Sequence, residues 1–204
     1  SGVDIKKFSL SFTVRKRIRF ENKIKNNNFI FLFVGRLNKD KGIDLLIKAF
    51  AEVHKINPNC ILWLLGDDED GYENKLSDIV ADPSNIRFFN YIENPMGFMN
   101  ASDVLCLPSY REGFGNVIIE SGACGLPSIG SNIYGVKDAI VDQKTGLLFS
   151  KGNQKDLVKK MTFLIKNYKI RNQLSKNVYS HVRQYYNQKY YVEEFIKLIR
   201  DEID

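Results

Sequence analysis

Two segments of this 204-residue sequence combine residue types and spacings suited to chemistry. The first is Val34-Gly35-Arg36-Leu37-Asn38-Lys39-Asp40-Lys41-Gly42, directly after an apolar run. Gly35 permits a sharp turn where that run ends. Arg36 and Lys41 bracket the loop. Two cations there suit a diphosphate, with guanidinium as a planar fork and ammonium as a point charge. A pair of solvated loop charges is the plainer alternative. The second is Glu112-Gly113-Phe114-Gly115-Asn116, with Glu120 beyond it. Gly113 and Gly115 let backbone N–H groups approach an anion at the start of a helix opening at Asn116, where the dipole is positive. Glu120 sits among Val117, Ile118, Ile119 and Ala123, where a carboxylate requires a partner. On one continuous helix, Glu112 and Glu120 would lie about 12 Å apart along the axis and roughly 80° apart in azimuth. That exceeds the roughly 5–9.5 Å of a glycosidase pair. It suits two contacts on one extended ligand, a sugar at one end and a ribose at the other.

Weaker candidates surround these. Gly66-Asp67-Asp68-Glu69-Asp70-Gly71 has the glycine spacing of a P-loop, but Tyr72 stands where Lys is required. Its Asp68-Glu69-Asp70 resembles a metal-binding Asp-x-Asp, although an acidic turn is the commoner cause of such a run. The pairs Tyr185-Tyr186 and Tyr190-Tyr191 suit base stacking or, more commonly, packing. His54 and His181 read as surface helix residues without ligand spacing, which argues against structural zinc.

The elements that must position these groups alternate along the chain. Short apolar runs at 29–34, 60–65, 86–89, 104–107, 127–129 and 146–149 read as strands. Amphipathic stretches at 44–56, 72–81, 95–101, 116–124 and 136–141 read as helices between them. From Gln154 onward about three helical segments are expected. Continuous apolar strands bounded by helices imply a parallel sheet covered on both faces. Right-handed crossovers then give an α/β, Rossmann-like, doubly wound sheet of about six strands with C-terminal helices. Its ligand belongs in the crevice beyond the carboxyl ends of the strands, where both segments fall. Residues 1–28 stand outside the alternation and read as a linker plus a basic helix from Thr13 to Lys25. Residues 29–180 form the sheet domain, and 181–204 a last helix.

Composition excludes other classes. The chain is 44% hydrophobic and 26% charged, and no apolar run approaches the ~20 residues of a membrane helix. Three cysteines, Cys60, Cys106 and Cys124, stand singly in apolar surroundings and make a poor disulfide framework. The net charge of +6 favours anionic partners such as nucleotides, phospholipid headgroups or nucleic acid. The excess gathers in Lys6–Lys25 and Lys155–Arg183, where a solvated helical face is the usual explanation. No nucleic-acid-binding module is recognisable, so nucleic acid is not expected as a partner. No signal peptide is read. The opening Ser1-Gly2, without Met, reads as an artificial boundary.

Taken in order, these segments resemble the nucleotide-sugar-binding C-terminal domain of GT-B glycosyltransferases of the family 4 type. The likeness begins at Gly2-Val3-Asp4 with Phe8 and runs through Val34-Gly35-Arg36-Leu37, Lys41-Gly42 and Asp44. It continues through Ala101-Ser102-Asp103-Val104, Pro108-Ser109, Glu112-Gly113-Phe114-Gly115 and Glu120. Cys124-Gly125-Leu126-Pro127 and Gly146-Leu147-Leu148 complete it. The resemblance implies that Arg36 and Lys41 hold the donor diphosphate and stabilise charge on the departing phosphate. It implies that Glu112 contacts the transferred sugar, and that Gly113, Phe114 and Gly115 offer backbone donors at the start of the Asn116 helix. Glu120 would bond the ribose hydroxyls, the base would lie near Gly66-Asp67 and Tyr91-Ile92, and Gly35 would belong to the donor site as well. Arg36, Lys41 and Glu112 are thus the expected catalytic residues.

The chemistry implied is retaining transfer of a hexose or N-acetylhexosamine from a UDP-linked donor, without a metal or other cofactor. The acceptor would be a glycan or a lipid-linked glycan of bacterial surface polysaccharide such as O-antigen or capsule. The setting would be cytoplasmic, with peripheral contact at an anionic inner-membrane surface. A non-catalytic nucleotide-binding module is the alternative. An N-terminal Rossmann domain carrying acceptor contacts would be missing, so this chain alone is expected to be inactive. The last helices, with Tyr190, Tyr191, Phe195 and Leu198 on their inner face, would cross back to that domain. The sequence departs from the family at Asp68, where Gly is frequent, at Ser121 and Gly122 after the second Glu, and at Asp138, where Glu is common.

Overall fold

The computed structural model describes residues 2–189. Tyr190, Tyr191, Phe195, Leu198 and the remainder of 190–204 lie outside the described residues. Six strands, β1 (Phe29–Val34), β2 (Cys60–Leu65), β3 (Ile86–Phe89), β4 (Val104–Leu107), β5 (Ser128–Ser131) and β6 (Gly146–Phe149), form one sheet in the order β3-β2-β1-β4-β5-β6. Every pairing is parallel. The cause is legible in the strands: β2 and β4 are apolar throughout and buried at every position, so both faces require cover. Helices α1 (Phe12–Glu21), α2 (Ile43–Ile56), α3 (Leu76–Ile79), α4 (Met96–Ala101), α5 (Asn116–Ala123), α6 (Gln154–Lys166) and α7 (Tyr168–Tyr185) supply it. This is the expected doubly wound, Rossmann-like fold.

The chain winds outward from β1 to β3, returns to β4 beside β1, then winds the other way. The order therefore reverses between β1 and β4, and ligands of such sheets bind above that reversal. Register sets the level: Val34 stands opposite Leu65, and Leu65 opposite Phe89, so three carboxyl ends finish in line.

Local chemistry altered several expected helices. The basic helix was expected over 13–25. It starts at Phe12, where the Ser11 hydroxyl accepts the Val14 N–H at 3.2 Å, and stops at Glu21. Lys23 has a left-handed backbone, φ 55°, which a helix cannot contain. The helix expected over 72–81 shrinks to Leu76–Ile79. The Asp68 carboxylate accepts the N–H groups of Tyr72 and Glu73 at 2.8 and 2.9 Å and commits that stretch to a turn. The stretch 136–141 forms turns rather than a helix, after a Gly135 at φ 82°. Beyond Gln154, α7 runs unbroken past residues 180 and 181, where a boundary was expected. His54 is not simply a surface residue. Its ring stacks on Phe50, and its Nε2 lies 3.0 Å from Asn85 Nδ2.

The ends of the domain are tied into it. Val3 N–H donates to Tyr186 O at 2.7 Å and Gln188 N–H to Val3 O at 3.0 Å, so the incoming segment lies beside the one leaving α7. On α1, Arg15 reaches Asp103 at 2.8 Å and the Ser102 carbonyl at 2.6 Å. Arg19 reaches the carbonyls of Ala101 and Asn28 at 2.9 and 2.7 Å. Asp103 accepts the Ile30 N–H at 2.8 Å, so this network fixes the amino ends of β1 and β4.

Candidate active site

The loops after β1 and β2 interlock through two glycines. Gly35 and Gly66 have φ of 148° and 145°, and a β-carbon on Gly66 would drive into the Gly35 carbonyl oxygen. Gly35 N–H donates to Leu65 O and Leu37 N–H to Asp67 O, at 2.9 and 2.8 Å. The result is an open hollow of about 150 Å³ lined by Val34, Gly35, Arg36, Leu65, Gly66, Asp67, Tyr91 and Ile92. It gathers the residues expected around the base, together with Arg36.

The two cations diverge. The Arg36 side chain is 66% exposed and lies 3.3 Å from Glu69 Oε1, while Asn38 Nδ2 donates to Glu69 Oε2 at 2.7 Å. The Asn38 hydrogen bond, with the Arg36 charge behind it, holds the Glu69 carboxyl below its ordinary range. Lys41 leaves the hollow and pairs with Glu112 Oε2 at 2.7 Å, both side chains being largely buried. The approach is set by Gly42, φ 69°, where a β-carbon would strike the Pro108 carbonyl oxygen. Tyr110 N–H donates to Asp40 O at 2.8 Å and closes the same junction. Ser109 Oγ donates to Glu112 Oε2 at 3.2 Å.

Glu112 is not helical. It lies in the loop before α5, because Gly115 caps that helix and donates its N–H to Gly135 O at 3.1 Å. The azimuth and axial spacing computed for a shared helix therefore do not describe Glu112 and Glu120. Between Glu112 and the helix, the N–H groups of Gly113 and Phe114 have no hydrogen-bond acceptor among the described residues. A β-carbon on Gly113 would meet nothing within 4 Å. Asn116, the first residue of α5, is exposed beside them. Free donors at a helix N-terminus attract an anion.

Glu120 is half-buried on α5 and has no hydrogen bond or ion pair among the described residues. Burial raises its pKa, and the charge of Lys7 opposes the rise. It is a carboxylate with vacant acceptor capacity.

Asp68, Glu69 and Asp70 are all engaged by protein donors, the last by Lys39 N–H at 2.7 Å. They form an acidic turn that ties the loop after β2 to the loop after β1. No group of three His, Cys, Asp or Glu among the described residues is arranged to hold a metal ion. The departures from the family pattern also find local causes. Ser121 Oγ donates to the Ile118 carbonyl at 2.9 Å. Gly122 lets α7 approach so closely that a β-carbon would strike Val178 and Val182. Asp138 accepts the Gly135 N–H at 3.3 Å.

Three supporting residues escaped the sequence reading as site residues. Ser109 lies three positions before Glu112, within reach of its carboxylate, and that spacing was the available signal. Glu69 meets Arg36 across 33 residues of sequence, a separation that leaves no local trace. Gly135, φ 82°, packs its backbone against the carbonyls of Glu112 and Gly113, so a β-carbon there would collide with both.

Arg36 and Lys41 follow β1, Gly66 follows β2, Tyr91 follows β3, and Glu112 with the free Gly113 and Phe114 donors follows β4, so all stand on loops at the carboxyl edge of the parallel sheet. Such an arrangement can hold an extended anionic ligand and stabilise charge developing on it.

Comparison with known proteins identifies relatives of this fold. The capsular polysaccharide biosynthesis glycosyltransferase CapM of Staphylococcus aureus is 32% identical over 181 residues, covering 87% of this chain and 47% of CapM. A Campylobacter jejuni transferase is 30% identical over 190 residues, covering 90% of this chain and 51% of its own length. It is named an α-1,4-N-acetyl-D-galactosaminyltransferase acting on a diNAcBac-PP-undecaprenol-linked glycan. The crystal structure of Anabaena HepE in complex with UDP shares the fold, with a TM-score of 0.87 at 21% identity over 98% of this chain and 56% of that one. The chain spans about half the length of the relatives it matches. Residues 14–181 match the family described as glycosyl transferases group 1. With that match over most of its length, and with the sheet of a GT-B C-terminal domain, the chain belongs to the glycosyl transferases group 1 family.

Proposed function

We propose that this chain is the donor-binding half of a retaining glycosyltransferase that takes a hexose or N-acetylhexosamine from a UDP-linked donor. The observation that carries the reading is the placement of the Arg36–Gly66–Tyr91 hollow, the Lys41–Glu112 pair and the free Gly113 and Phe114 N–H groups on loops that all follow the carboxyl ends of the parallel strands. The base occupies the hollow and the ribose bonds Glu120. The diphosphate lies between Arg36, Lys41 and the α5 N-terminus. Arg36 and Lys41 are prepositioned cations for charge on the departing phosphate, and such electrostatic stabilisation commonly supplies the largest share of catalysis. Glu112 bonds sugar hydroxyls while holding Lys41. No metal enters this scheme.

The uridine assignment is supported by the UDP-bound HepE fold, and the polysaccharide setting by the names of CapM and the Campylobacter transferase. The acceptor is a glycan or lipid-linked glycan of bacterial surface polysaccharide, capsule or O-antigen. It is positioned by a domain outside this chain. The enzyme works in the cytoplasm, in peripheral contact with an anionic membrane surface. Alone, this chain binds nucleotide and transfers no sugar, because orienting the second substrate contributes roughly 7–11 kcal/mol to such reactions.

Thermal unfolding with UDP, GDP and ADP tests the reading. A nucleotide at a hundred times its Kd stabilises by about 2.7 kcal/mol. For a chain of this size that raises Tm by roughly 5–10 °C. UDP should give the largest shift, unchanged by EDTA. No shift with any nucleotide defeats the donor site, and a shift that requires Mg²⁺ or Mn²⁺ defeats the metal-free scheme. Sugar transfer by this chain alone, at the rate of the full-length enzyme, would place the acceptor site within it.

A further inference from the structure

The outer face of α1 reverses the usual arrangement of a surface helix. Its inward side is pinned by Arg15 and Arg19 and by Ile18, which lies against Gly97. Val14 and Ile18 are half-buried, yet the two phenyl rings face water: Phe12 is 71% exposed and Phe20 85%. Phe12, Lys16 and Phe20 follow one another at four-residue spacing and make one stripe with a cation between two rings. The rings stand about 12 Å apart along the axis. Arg17 flanks the stripe, and Lys23 and Lys25 extend it beyond the helix end, all exposed. Glu21 is the one exposed carboxylate on this helix, 3.9 Å from Arg17.

We propose that this face docks on an anionic lipid surface. Each cation near such a surface is attracted to headgroup phosphates, and the rings enter the boundary between headgroups and acyl chains. Charge selects this occupant over a second copy of the chain, which would set four cations against four. Placement also fits. Through Arg19 and Asp103, α1 is tied to the amino ends of β1 and β4, whereas the candidate site lies beyond the carboxyl ends. Docking therefore leaves the hollow open. The inference deepens the membrane-contact part of the proposed function, and it stands or falls apart from sugar transfer.

Vesicle flotation of this chain tests it, with phosphatidylglycerol–phosphatidylcholine vesicles against phosphatidylcholine alone. Binding is expected only to the anionic vesicles, and weaker at 0.5 M than at 0.1 M salt. Phe12→Ser/Phe20→Ser should lower the partition coefficient at least tenfold at unchanged net charge. Lys16→Glu/Arg17→Glu should do the same. Lys155→Glu/Lys159→Glu on α6 makes an equal charge change at exposed positions elsewhere and should stay within threefold of the parent. All six positions are exposed, so circular dichroism should confirm unchanged folding. The native Trp63 is fully buried and gives a background that vesicles should not change, so Phe20→Trp, read as the difference from the parent, should show a blue-shifted emission with anionic vesicles only. Three results overturn the proposal: no binding to anionic vesicles, equal loss in the α6 control, or displacement by single-stranded oligonucleotide with no loss in the Phe12→Ser/Phe20→Ser variant. The last would make the face a nucleic-acid contact.

Discussion

Lys41 Nζ lies 2.7 Å from Glu112 Oε2, an ion pair that spans 71 residues of sequence and bridges the loops after β1 and β4. The side chains are 19% and 15% exposed, so water screens the pair only in part. Removing one partner leaves the other desolvated, a cost of 3–5 kcal/mol for fully buried pairs and under about 1 for exposed ones. Lys41→Met or Glu112→Gln should therefore cost about 1–3 kcal/mol in denaturant unfolding, and the double variant less than their sum. Additivity within about 0.5 kcal/mol would show that the pair contributes nothing. The same pair predicts a split in binding. Glu112→Gln should keep UDP affinity within about threefold, since Lys41 is released to the phosphate, yet lose the extra affinity for UDP-sugar. Equal losses for both ligands would mean Glu112 acts only through Lys41.

Arg36 should behave oppositely to Lys41 in stability. Its side chain is 66% exposed, and its contact with Glu69 is a surface pair. Arg36→Ala should change unfolding free energy by less than about 1 kcal/mol. A charged hydrogen bond to phosphate is worth roughly 1.5–3 kcal/mol, so UDP should bind about ten- to a hundredfold more weakly. Calorimetric titration giving parent affinity would remove Arg36 from the diphosphate site.

Glu120 sets stability against binding. Burial raises its folded pKa above the ordinary 4.5, so the native state holds the proton more tightly than the unfolded chain. The contribution of Glu120 to stability is therefore greatest below pH 4.5 and falls as pH rises through the window up to the raised value. Glu120→Gln removes that fall. Its Tm should exceed the parent's at pH 7, and the gap should close below pH 4.5. UDP affinity should drop about tenfold while inorganic pyrophosphate affinity stays unchanged. A variant that loses both ligands equally would mark the carboxylate as structural.

The sheet was legible because its signal is local. The runs at Phe29–Val34 and Cys60–Leu65 are apolar without interruption, and only a doubly covered parallel strand accommodates them. Residues that line the hollow were legible where a glycine or charge ends such a strand, as at Gly35, Arg36 and Gly66. The errors arose where a side chain captures backbone. Asp68 takes the first N–H groups of the helix expected at Tyr72, and periodicity carries no record of that competition. The helix expected from Asn116 does begin there, but the relation of Glu112 to Glu120 was not legible, because the loop between depends on Gly135, twenty residues distant, whose carbonyl accepts the Gly115 N–H. The pairing of Lys41 with Glu112 is likewise a product of tertiary approach at Gly42 and Pro108.

Two glycines separate fold from ligand. Gly66 has φ 145°, and its β-carbon position is occupied by the Gly35 carbonyl oxygen. Gly66→Ala must therefore both strain the backbone and part the loops after β1 and β2, and a loss of at least about 2 kcal/mol is expected. Gly113 needs neither freedom: its φ is not in the left-handed region, and its β-carbon position is open for 4 Å. Nothing within the described residues requires glycine there, whereas the proposed donor site has a ligand approach the free Gly113 and Phe114 N–H groups. Gly113→Ala should leave stability unchanged or raise it by up to about 1 kcal/mol through the unfolded state. A methyl group in that space should nevertheless weaken UDP-sugar at least tenfold, and UDP less. If Gly113→Ala binds UDP-sugar as the parent does, the anion does not approach this loop, and the α5 N-terminus drops out of the donor site.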